Sequence, residues 1–269
     1  MDASITLKAG RQSIATYTCQ TAISGIHKRP DASAPIDDQL LFGHGFNVVS
    51  VEGGWAYGQA VSPLGALGYV GYVRAQDVRI GARVSTHTVS SICAPVFMEA
   101  SLKTPALMSL SHGSCLTVAD IYGDYAALDG GGYLHVKHIK SVNCANTDPV
   151  TLARLYSGLP YLWGGKGADG VDCSGLVQMA LWMSGHEAPR DADQQEALGV
   201  AIEITDSLSD LKAADLIFWK GHVGLMVDAD ILIHANGFHM RTYEEPLSVA
   251  AARIAKTDGP IRSIRRWLT

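Results

Sequence analysis

Apolar residues follow a helical period in one long segment and a strand period in several shorter ones. Small and apolar side chains recur every three or four residues over 172–184, which predicts a helix with one buried stripe. The stripe consists of Cys173, Leu176, Val177, Ala180, Leu181 and Ser184. A shorter helix is expected over 151–159, with Leu152, Leu155 and Tyr156 on one face. Apolar runs at 216–219, 223–227 and 231–235 predict strands. Helices followed by antiparallel strands indicate an α+β domain.

The N-terminal part contains two segments that resemble each other. Residues 40–57 align with residues 110–127, and residues 71–78 align with residues 132–139 after one insertion around residues 63–68. Each copy consists of short alternating strands interrupted by glycine, which is typical of a small β-barrel. The inserted residues are expected in a loop, where insertions are tolerated best.

These patterns divide the chain into four segments. We expect an N-terminal extension over 1–19, a first barrel over 20–82, a second barrel over 83–143 and an α+β domain over 144–269. The predicted fold class is therefore multi-domain, with two small β-barrels ahead of one α+β domain.

Composition narrows the classes of protein that these domains can form. The 269 residues include 28 glycines and only 17% charged residues, which suits short strands and tight turns. The net charge of −5 argues against nucleic acid as a partner, because nucleic-acid-binding proteins present a basic face. The residues after Met1 show neither a basic region nor an apolar core, so we expect no secretory signal and a cytoplasmic protein without a membrane span.

The cysteines argue against a structural disulfide or metal framework. There are five of them, an odd number, and none belongs to a CxxC pair. We therefore expect reduced thiols, no metal and no cofactor. The five are Cys19, Cys93, Cys115, Cys144 and Cys173.

Cys173 lies where the predicted long helix begins, and this position points to a reactive thiol. Unpaired N–H groups at a helix N-terminus favour an anion and so lower the pKa of a thiol. Asp172 is expected to cap the helix, and its negative charge opposes that effect. A nearby imidazolium would then be needed to hold the thiolate.

Two histidines can supply that imidazolium. If Asp228, Ala229 and Asp230 form a hairpin turn, His222 and His234 lie on the same face of two paired strands. They become diagonal neighbours about 7–8 Å apart at the backbone, so that their side chains can meet. One imidazole would take the thiol proton while the other orients it. Gly224, opposite His234, is expected to leave room for the imidazole.

Two other kinds of site, a metal site and a dinucleotide-binding loop, have partial support in the sequence. Cys173, His222 and His234 could bind a metal ion, but there is no HExxH motif and no evident fourth ligand. The pattern Gly165-x-Gly167-x-x-Gly170 matches a dinucleotide-binding loop, yet no preceding strand or βαβ unit supports it. The GxSxG and Walker A motifs are absent from the sequence.

Six motifs together carry a family resemblance. They are Tyr161-Leu162-Trp163-Gly164-Gly165, Gly170-Val171-Asp172-Cys173-Ser174-Gly175-Leu176-Val177-Gln178, Pro189-Arg190-Asp191, Ala214-Asp215-Leu216-Ile217-Phe218, His222-Val223-Gly224 and Ile233-His234-Ala235. In this order they resemble the NlpC/P60 family of papain-like cysteine peptidases, and the two barrels resemble bacterial SH3 modules. The combination is similar to the γ-D-glutamyl-L-diamino acid endopeptidases of murein peptide recycling.

The resemblance implies a role for each catalytic position. Cys173 would be the nucleophile, His222 the general base and His234 the polar third member. The hydroxyl of Tyr161 would contribute to an oxyanion hole together with the backbone N–H of Cys173.

The resemblance also implies substrate-binding residues. Asp172 and Ser174 would line the peptide groove, and Asp191 would lie near the substrate's amino end. Arg190 either meets a substrate carboxylate or forms a structural ion pair. Tyr69, in the first SH3-like module, would close the groove so that only a free N-terminal L-Ala fits.

One departure from the pattern concerns the residue after the Arg-Asp pair, which is Ala192 where members of the family often have serine. This puts one substrate hydrogen bond in doubt. Asp38 and Gln39 are the nearest candidates for an acidic partner of the substrate amine in the first module.

The expected reaction is hydrolysis of the amide between γ-linked D-Glu and a diamino acid in a murein-derived peptide. Two alternatives stay open. One is an endopeptidase that acts on intact peptidoglycan, and the other is a wall-peptide-binding protein without catalytic activity.

Overall fold

The computed structural model describes residues 13–144, 147–205, 208 and 210–267. The chain divides into two compact units, Met1–Ala145 and Asn146–Thr269. Within the described ranges, none of the helices combines the length and apolar character needed to cross a bilayer.

The N-terminal unit begins with a seven-stranded antiparallel sheet, here called the first β unit. Its strands are β1 Ala15–Cys19, β2 Ile23–His27, β3 Ile36–Leu41, β4 Gly45–Glu52, β5 Trp55–Val61, β6 Leu67–Arg74 and β7 Val78–Ile80, in the spatial order β3-β2-β6-β5-β4-β1-β7. Apolar residues such as Phe46, Val48 and Val73 form its buried core. Because β1 pairs with β4 and β7, this unit starts before residue 20, earlier than the sequence suggested.

The second β unit repeats this strand order. Its strands are β8 His87–Val89, β9 Cys93–Phe97, β10 Ala106–Ser111, β11 Cys115–Leu116, β12 Val118–Tyr122, β13 Tyr125–Leu128, β14 Tyr133–His135 and β15 Ile139–Ser141. One sheet has the order β10-β9-β14-β13-β12 and the other β11-β8-β15. The order matches that of the first β unit, except that β11 and β12 together replace β4.

The inserted residues of the first copy lie mostly in the turn of a longer hairpin. Residues 63–66 belong to the turn between β5 and β6, as expected, whereas residues 67 and 68 begin β6. Strands β5 and β6 contain seven and eight residues, whereas β13 and β14 contain four and three. Backbone hydrogen bonds along the longer hairpin satisfy the polar groups that a loop would leave to solvent.

The two β units share apolar packing. Ala22 and Phe42 of the first unit pack against the core of the second. The N–H of Cys115 donates to the carbonyl oxygen of Phe42 over 2.8 Å. Gly43 has a positive φ of 81°, and a Cβ there would lie 2.0 Å from the carbonyl oxygen of Cys115. The close approach of the two units therefore requires glycine at this position.

Replacing Gly43 tests this contact. Gly43 and Gly54 both have a φ of 81°, so alanine costs about 1–2 kcal/mol of backbone strain at either position. A Cβ at Gly54 meets nothing within 4 Å. Gly43→Ala should therefore destabilise the N-terminal unit by about 1–3 kcal/mol more than Gly54→Ala, measured by denaturant unfolding. Equal losses would contradict the proposed contact.

The C-terminal unit has the predicted α+β order. Its helices are α1 Pro149–Arg154, α2 Cys173–Met183, α3 Ala192–Gln195 and α4 Leu247–Ile254. Its strands are β16 Lys166–Gly167, β17 Gly170–Val171, β18 Val200–Ile202, β19 Asp215–Trp219, β20 His222–Met226, β21 Ile231–Asn236, β22 Arg241–Pro246 and β23 Ser263–Arg266. The main sheet has six strands in the order β18-β23-β19-β20-β21-β22.

Two helices differ in detail from the sequence prediction. Helix α2 is buried on every side, where the sequence suggested a single stripe, because it packs on β20 and β21 as well as on α1. Helix α1 ends at Arg154, earlier than expected, and Leu155 just beyond it is 38% exposed. Leu152 and Tyr156 are buried as predicted.

Candidate active site

The carboxylate of Asp172 organises the chain around the start of α2. It accepts hydrogen bonds from the N–H of Gly175 over 2.7 Å and from the N–H of Gly164 over 2.8 Å. Arg190 binds both of its oxygens, at 2.8 and 2.7 Å. Asp172 is thus the predicted N-cap, and it also ties the preceding loop to the helix.

The glycines around this carboxylate are required by close packing. A Cβ at Gly175 would lie 2.3 Å from the carbonyl oxygen of Gly165 and 2.9 Å from Oδ1 of Asp172. A Cβ at Gly165 would lie 2.5 Å from the carbonyl oxygen of Gly170. Larger residues at either position would push the loop away from the helix, and Cys173 would move with it.

Cys173 lies at the first position of α2, and its sulfur is buried. The N–H groups of Val223 and Ser174 hydrogen-bond the sulfur, so the thiol touches the residue that directly follows His222. Burial raises the pKa of Cys173 to about 11, and the charge of Asp172 adds to the rise. The N–H of Ser174 at the helix N-terminus lowers this pKa and Asp172 raises it, both as expected, but burial has the largest effect and the pKa rises.

The two histidines meet as the hairpin register predicted. Leu225 pairs with Ile233 and Met226 with Leu232, which confirms the expected alignment of β20 and β21. Nε2 of His222 lies 2.8 Å from Nδ1 of His234. These two nitrogens hydrogen-bond each other and do not converge on a common metal position, which argues against the metal-site alternative.

The space opposite His234 is used differently from the expectation. A Cβ at Gly224 would lie 2.7 Å from the side chain of Leu232. The small residue therefore makes room for Leu232 and not for the imidazole of His234.

Burial also keeps both imidazoles neutral. Desolvation lowers the pKa of His222 to about 3, and the neighbouring His234 lowers it further. The pKa of His234 is lowered by burial, although Glu245 opposes that effect. At neutral pH the resting site therefore combines a protonated thiol with a neutral base.

Glu245 and Arg253 complete a polar row that the sequence analysis missed. Oε1 of Glu245 lies 2.8 Å from Nε2 of His234, and the guanidinium of Arg253 binds both oxygens of Glu245. The signal was weak, because strand β22 reads RTYEEP and looks solvent-exposed. The register of β22 against β21 turns Glu245 to the face of His234.

The other predicted residues of this unit differ in accessibility. Tyr161 is half-buried, and burial together with the charges of Cys173 and Asp172 raises its pKa. Ser174 is buried and accepts a hydrogen bond from Arg190 over 2.9 Å. Asp191 precedes α3 and is partly exposed. These positions are compatible with the roles implied by the resemblance, which stay predictions.

Arg190 occupies a structural position. It is 4% exposed, and its terminal nitrogens contact Asp172, Ser174 and the carbonyl oxygen of Gly165. Of the two roles considered, the structure therefore supports the ion pair and not the contact with a substrate carboxylate.

Three predicted residues belong to the first β unit. Tyr69 lies in β6 and packs in the core of that unit. Asp38 and Gln39 lie in β3 and are both buried. The roles of these three residues toward a substrate stay predictions.

Replacing Arg190 should lower the free energy of unfolding, because the buried carboxylate of Asp172 loses its ion-pair partner. Arg190→Met leaves Asp172 without its cation, and breaking such a buried pair costs about 3–5 kcal/mol. Arg262→Met is a matched control, because the Arg262–Glu196 pair is largely exposed on the arginine side and should contribute about 0–1 kcal/mol. Denaturant unfolding of the C-terminal unit measures both. Similar losses in the two variants would contradict the role of Arg190.

Family models match both parts of the chain. The model of the NlpC/P60 family matches residues 158–253, which include Cys173, His222, His234 and Glu245. The model described as bacterial dipeptidyl-peptidase Sh3 domain matches residues 26–78, within the first β unit.

Individual relatives agree with these matches. Dipeptidyl-peptidase 6 of Lysinibacillus sphaericus is 27% identical over 238 residues, which cover 80% of this chain and 85% of the relative. Gamma-D-glutamyl-L-lysine dipeptidyl-peptidase of Bacillus subtilis is 38% identical over 96 residues, covering 33% of this chain and 31% of the relative. The crystal structure of an NlpC/P60 family protein from Bacillus cereus shares the fold, with a TM-score of 0.78 and 18% identity over 95% of this chain and 100% of the other.

Proposed function

The chain is a peptidase with an NlpC/P60 family domain preceded by a bacterial SH3 domain of the dipeptidyl-peptidase type, and from this premise we propose a specific reaction. The proposed reaction is hydrolysis of the amide between γ-linked D-Glu and a diamino acid in murein-derived peptides that carry a free N-terminal L-Ala. The name of the Bacillus subtilis relative, gamma-D-glutamyl-L-lysine dipeptidyl-peptidase, supports the bond that we propose, and the name of the Lysinibacillus sphaericus relative supports release of a dipeptide. The second β unit is proposed to be another SH3-like module, because it repeats the strand order of the first.

One observation carries the catalytic part of the proposal. The sulfur of Cys173 accepts the N–H of Val223, and the adjacent His222 hydrogen-bonds His234 over 2.8 Å. We infer from this adjacency that His222 is the base for the thiol and that His234 orients it, which is the arrangement that nucleophilic catalysis requires.

We propose the following proton transfers. Since Nε2 of His222 bonds His234, Nδ1 is the nitrogen that takes the proton of the Cys173 thiol as the sulfur attacks the amide carbon. The C–N bond breaks, the leaving amine takes that proton from His222, and a thioester remains on Cys173. Water then attacks the thioester, His222 accepts a proton from it, and the thiol is restored as the acid product leaves.

Because the thiol is protonated in the resting site, the thiolate of Cys173 has to form during the reaction. Because burial favours the neutral forms of Cys173 and His222, the thiolate–imidazolium pair should form only together with attack on the substrate. Donors beside the carbonyl then stabilise the oxyanion, and we propose the hydroxyl of Tyr161 and the N–H of Cys173 for that role.

Replacing the nucleophile tests the reaction. Cys173→Ala should abolish hydrolysis of L-Ala-γ-D-Glu-diamino acid, with L-Ala-D-Glu and the free diamino acid as the wild-type products. Mass spectrometry of the products measures the outcome. Cys93→Ala is the control, because Cys93 is exposed in β9, and it should retain wild-type hydrolysis. Unchanged hydrolysis by Cys173→Ala would remove the catalytic assignment.

A blocked substrate tests the requirement for a free amine. If the substrate must carry a free N-terminal amine, as proposed, the N-acetylated tripeptide should be cleaved at least about 100-fold more slowly than the free tripeptide, which corresponds to ~2.7 kcal/mol of discrimination. The measurement is kcat/KM for each peptide. Equal values would refute this requirement.

Intact sacculi test the alternative in which the enzyme cleaves polymeric peptidoglycan. Release of wall fragments from sacculi, with no cleavage of the free tripeptide, would favour an endopeptidase that acts on the polymer.

We also propose a reducing, cytoplasmic setting, because Cys173 must remain a free thiol in order to react.

A further inference from the structure

A buried carboxylate lies behind the histidine pair. Glu245 is 6% exposed, and its Oε1 lies 2.8 Å from Nε2 of His234. Glu245 comes from β22, diagonally across from His234 on β21, so the sheet itself holds the two side chains on one face. Each of the two nitrogens of His234 thus contacts a different neighbour, His222 on one side and Glu245 on the other.

Arg253 keeps this carboxylate ionised. The guanidinium comes from α4, and its Nη1 donates to Oε2 of Glu245 over 2.7 Å while Nη2 donates to Oε1. Hydrogen bonds from Arg253 and His234 outweigh the effect of burial and hold the pKa of Glu245 well below its usual range. An ionised carboxylate only accepts hydrogen bonds. Nε2 of His234 must therefore carry the proton that lies between them.

The proton on Nε2 of His234 determines which ring nitrogens carry protons in both histidines. A neutral imidazole has one protonated nitrogen and one lone pair, so Nδ1 of His234 accepts a hydrogen bond. Nε2 of His222 must then be the donor in the 2.8 Å contact between the histidines. Nδ1 of His222 consequently has the lone pair that a general base needs.

We propose that Glu245, held by Arg253, is a positioning residue that selects the catalytic tautomer of His222 through His234. The inference rests on the proposed Cys173–His222–His234 reaction. Glu245 does not touch the reacting atoms. Its negative charge also favours the imidazolium that His222 becomes when it takes the thiol proton.

The charged and titratable groups around Glu245 come from four elements. They are His222 on β20, His234 on β21, His239 in the following turn at 3.5 Å and Arg253 on α4. The positive charge of Arg253 balances the negative charge of Glu245, so the pair carries no net charge. His239 is a second neighbour of Oε1, but it lies beyond hydrogen-bond distance. Among the described residues, His234 alone links Glu245 to His222 through hydrogen bonds.

The substitution Glu245→Gln tests the proposal with little change in shape. A glutamine amide can face His234 with either its oxygen or its NH2 group, so the row loses its single direction. In the reversed orientation Nδ1 of His222 carries a proton and cannot act as the base. We expect kcat to fall about 10- to 100-fold with KM changed less than twofold, by analogy with other partners that orient a histidine.

The matched control is Glu244→Gln, one residue earlier on the same strand. Glu244 pairs with Arg154, which is largely exposed, and it has no contact with the histidine row among the described hydrogen bonds. Its kcat and KM should stay at wild-type values. Thermal unfolding of both variants, measured in parallel, shows whether a loss of kcat arises from loss of fold.

The ring nitrogens provide a readout that does not depend on turnover. In the 15N-labelled free enzyme, the nitrogen chemical shifts of His234 should show Nε2 protonated and Nδ1 unprotonated, with assignment from a His234→Asn variant. In Glu245→Gln the same shifts should indicate a mixture of both tautomers, whereas Glu244→Gln should match the wild type. If Glu245→Gln does not fold, the wild-type spectrum still decides, because protonation at Nδ1 of His234 would overturn the proposal.

The outcomes separate this inference from the proposed function. If wild type cleaves the tripeptide, Cys173→Ala does not, and folded Glu245→Gln keeps wild-type kcat, the role of Glu245 is refuted while the reaction stands. If wild type cleaves no tripeptide, the proposed substrate fails, and the ring-nitrogen spectra still decide whether Glu245 sets the tautomers.

Discussion

The position of Cys173, the proposed nucleophile, depends on one buried carboxylate. Asp172 caps α2, holds the loop through Gly164 and binds Arg190, so the loop, the helix and the segment before α3 meet at a single charge. Because α2 is buried on every side, it cannot rotate or shift without losing packing. The sulfur of Cys173 is therefore fixed against β20 before any substrate arrives. Catalytic geometry of this kind is set when the domain folds and not when it binds.

Burial that fixes the sulfur also determines its protonation state. A desolvated thiol with a pKa near 11 and an imidazole with a pKa near 3 form a neutral pair in the resting enzyme. Such a pair resists alkylation and oxidation, which require the thiolate. The energy of separating the charges must then come from the substrate and from donors near its carbonyl.

Sequence patterns were sufficient wherever chemistry is local. The cap at Asp172 and the start of α2 followed from side-chain type and helical period, and the pairing of His222 with His234 followed from a three-residue turn. Glu245 could not be found in this way, because its face depends on the pairing of β22, a strand with three charged residues in six. The largest effect on the pKa of Cys173, its burial, could not be predicted for a related reason. Its burial arises from β20, whose packing on α2 the local pattern does not contain.

Three buried carboxylates of the C-terminal unit are each matched to an arginine from another element. Asp172 pairs with Arg190, Asp215 with Arg266 and Glu245 with Arg253. A buried pair of this type adds little net stability, since desolvation offsets most of the attraction, but breaking one is costly. Its value is that it fixes where two segments meet without leaving net charge inside the domain. The pairs of Asp172 and Asp215 join segments that are distant in the sequence. The third pair, Glu245 with Arg253, lies beside His234. There the ionised carboxylate also decides which nitrogen of His234 carries the proton, so a structural ion pair can become part of the proposed catalytic row.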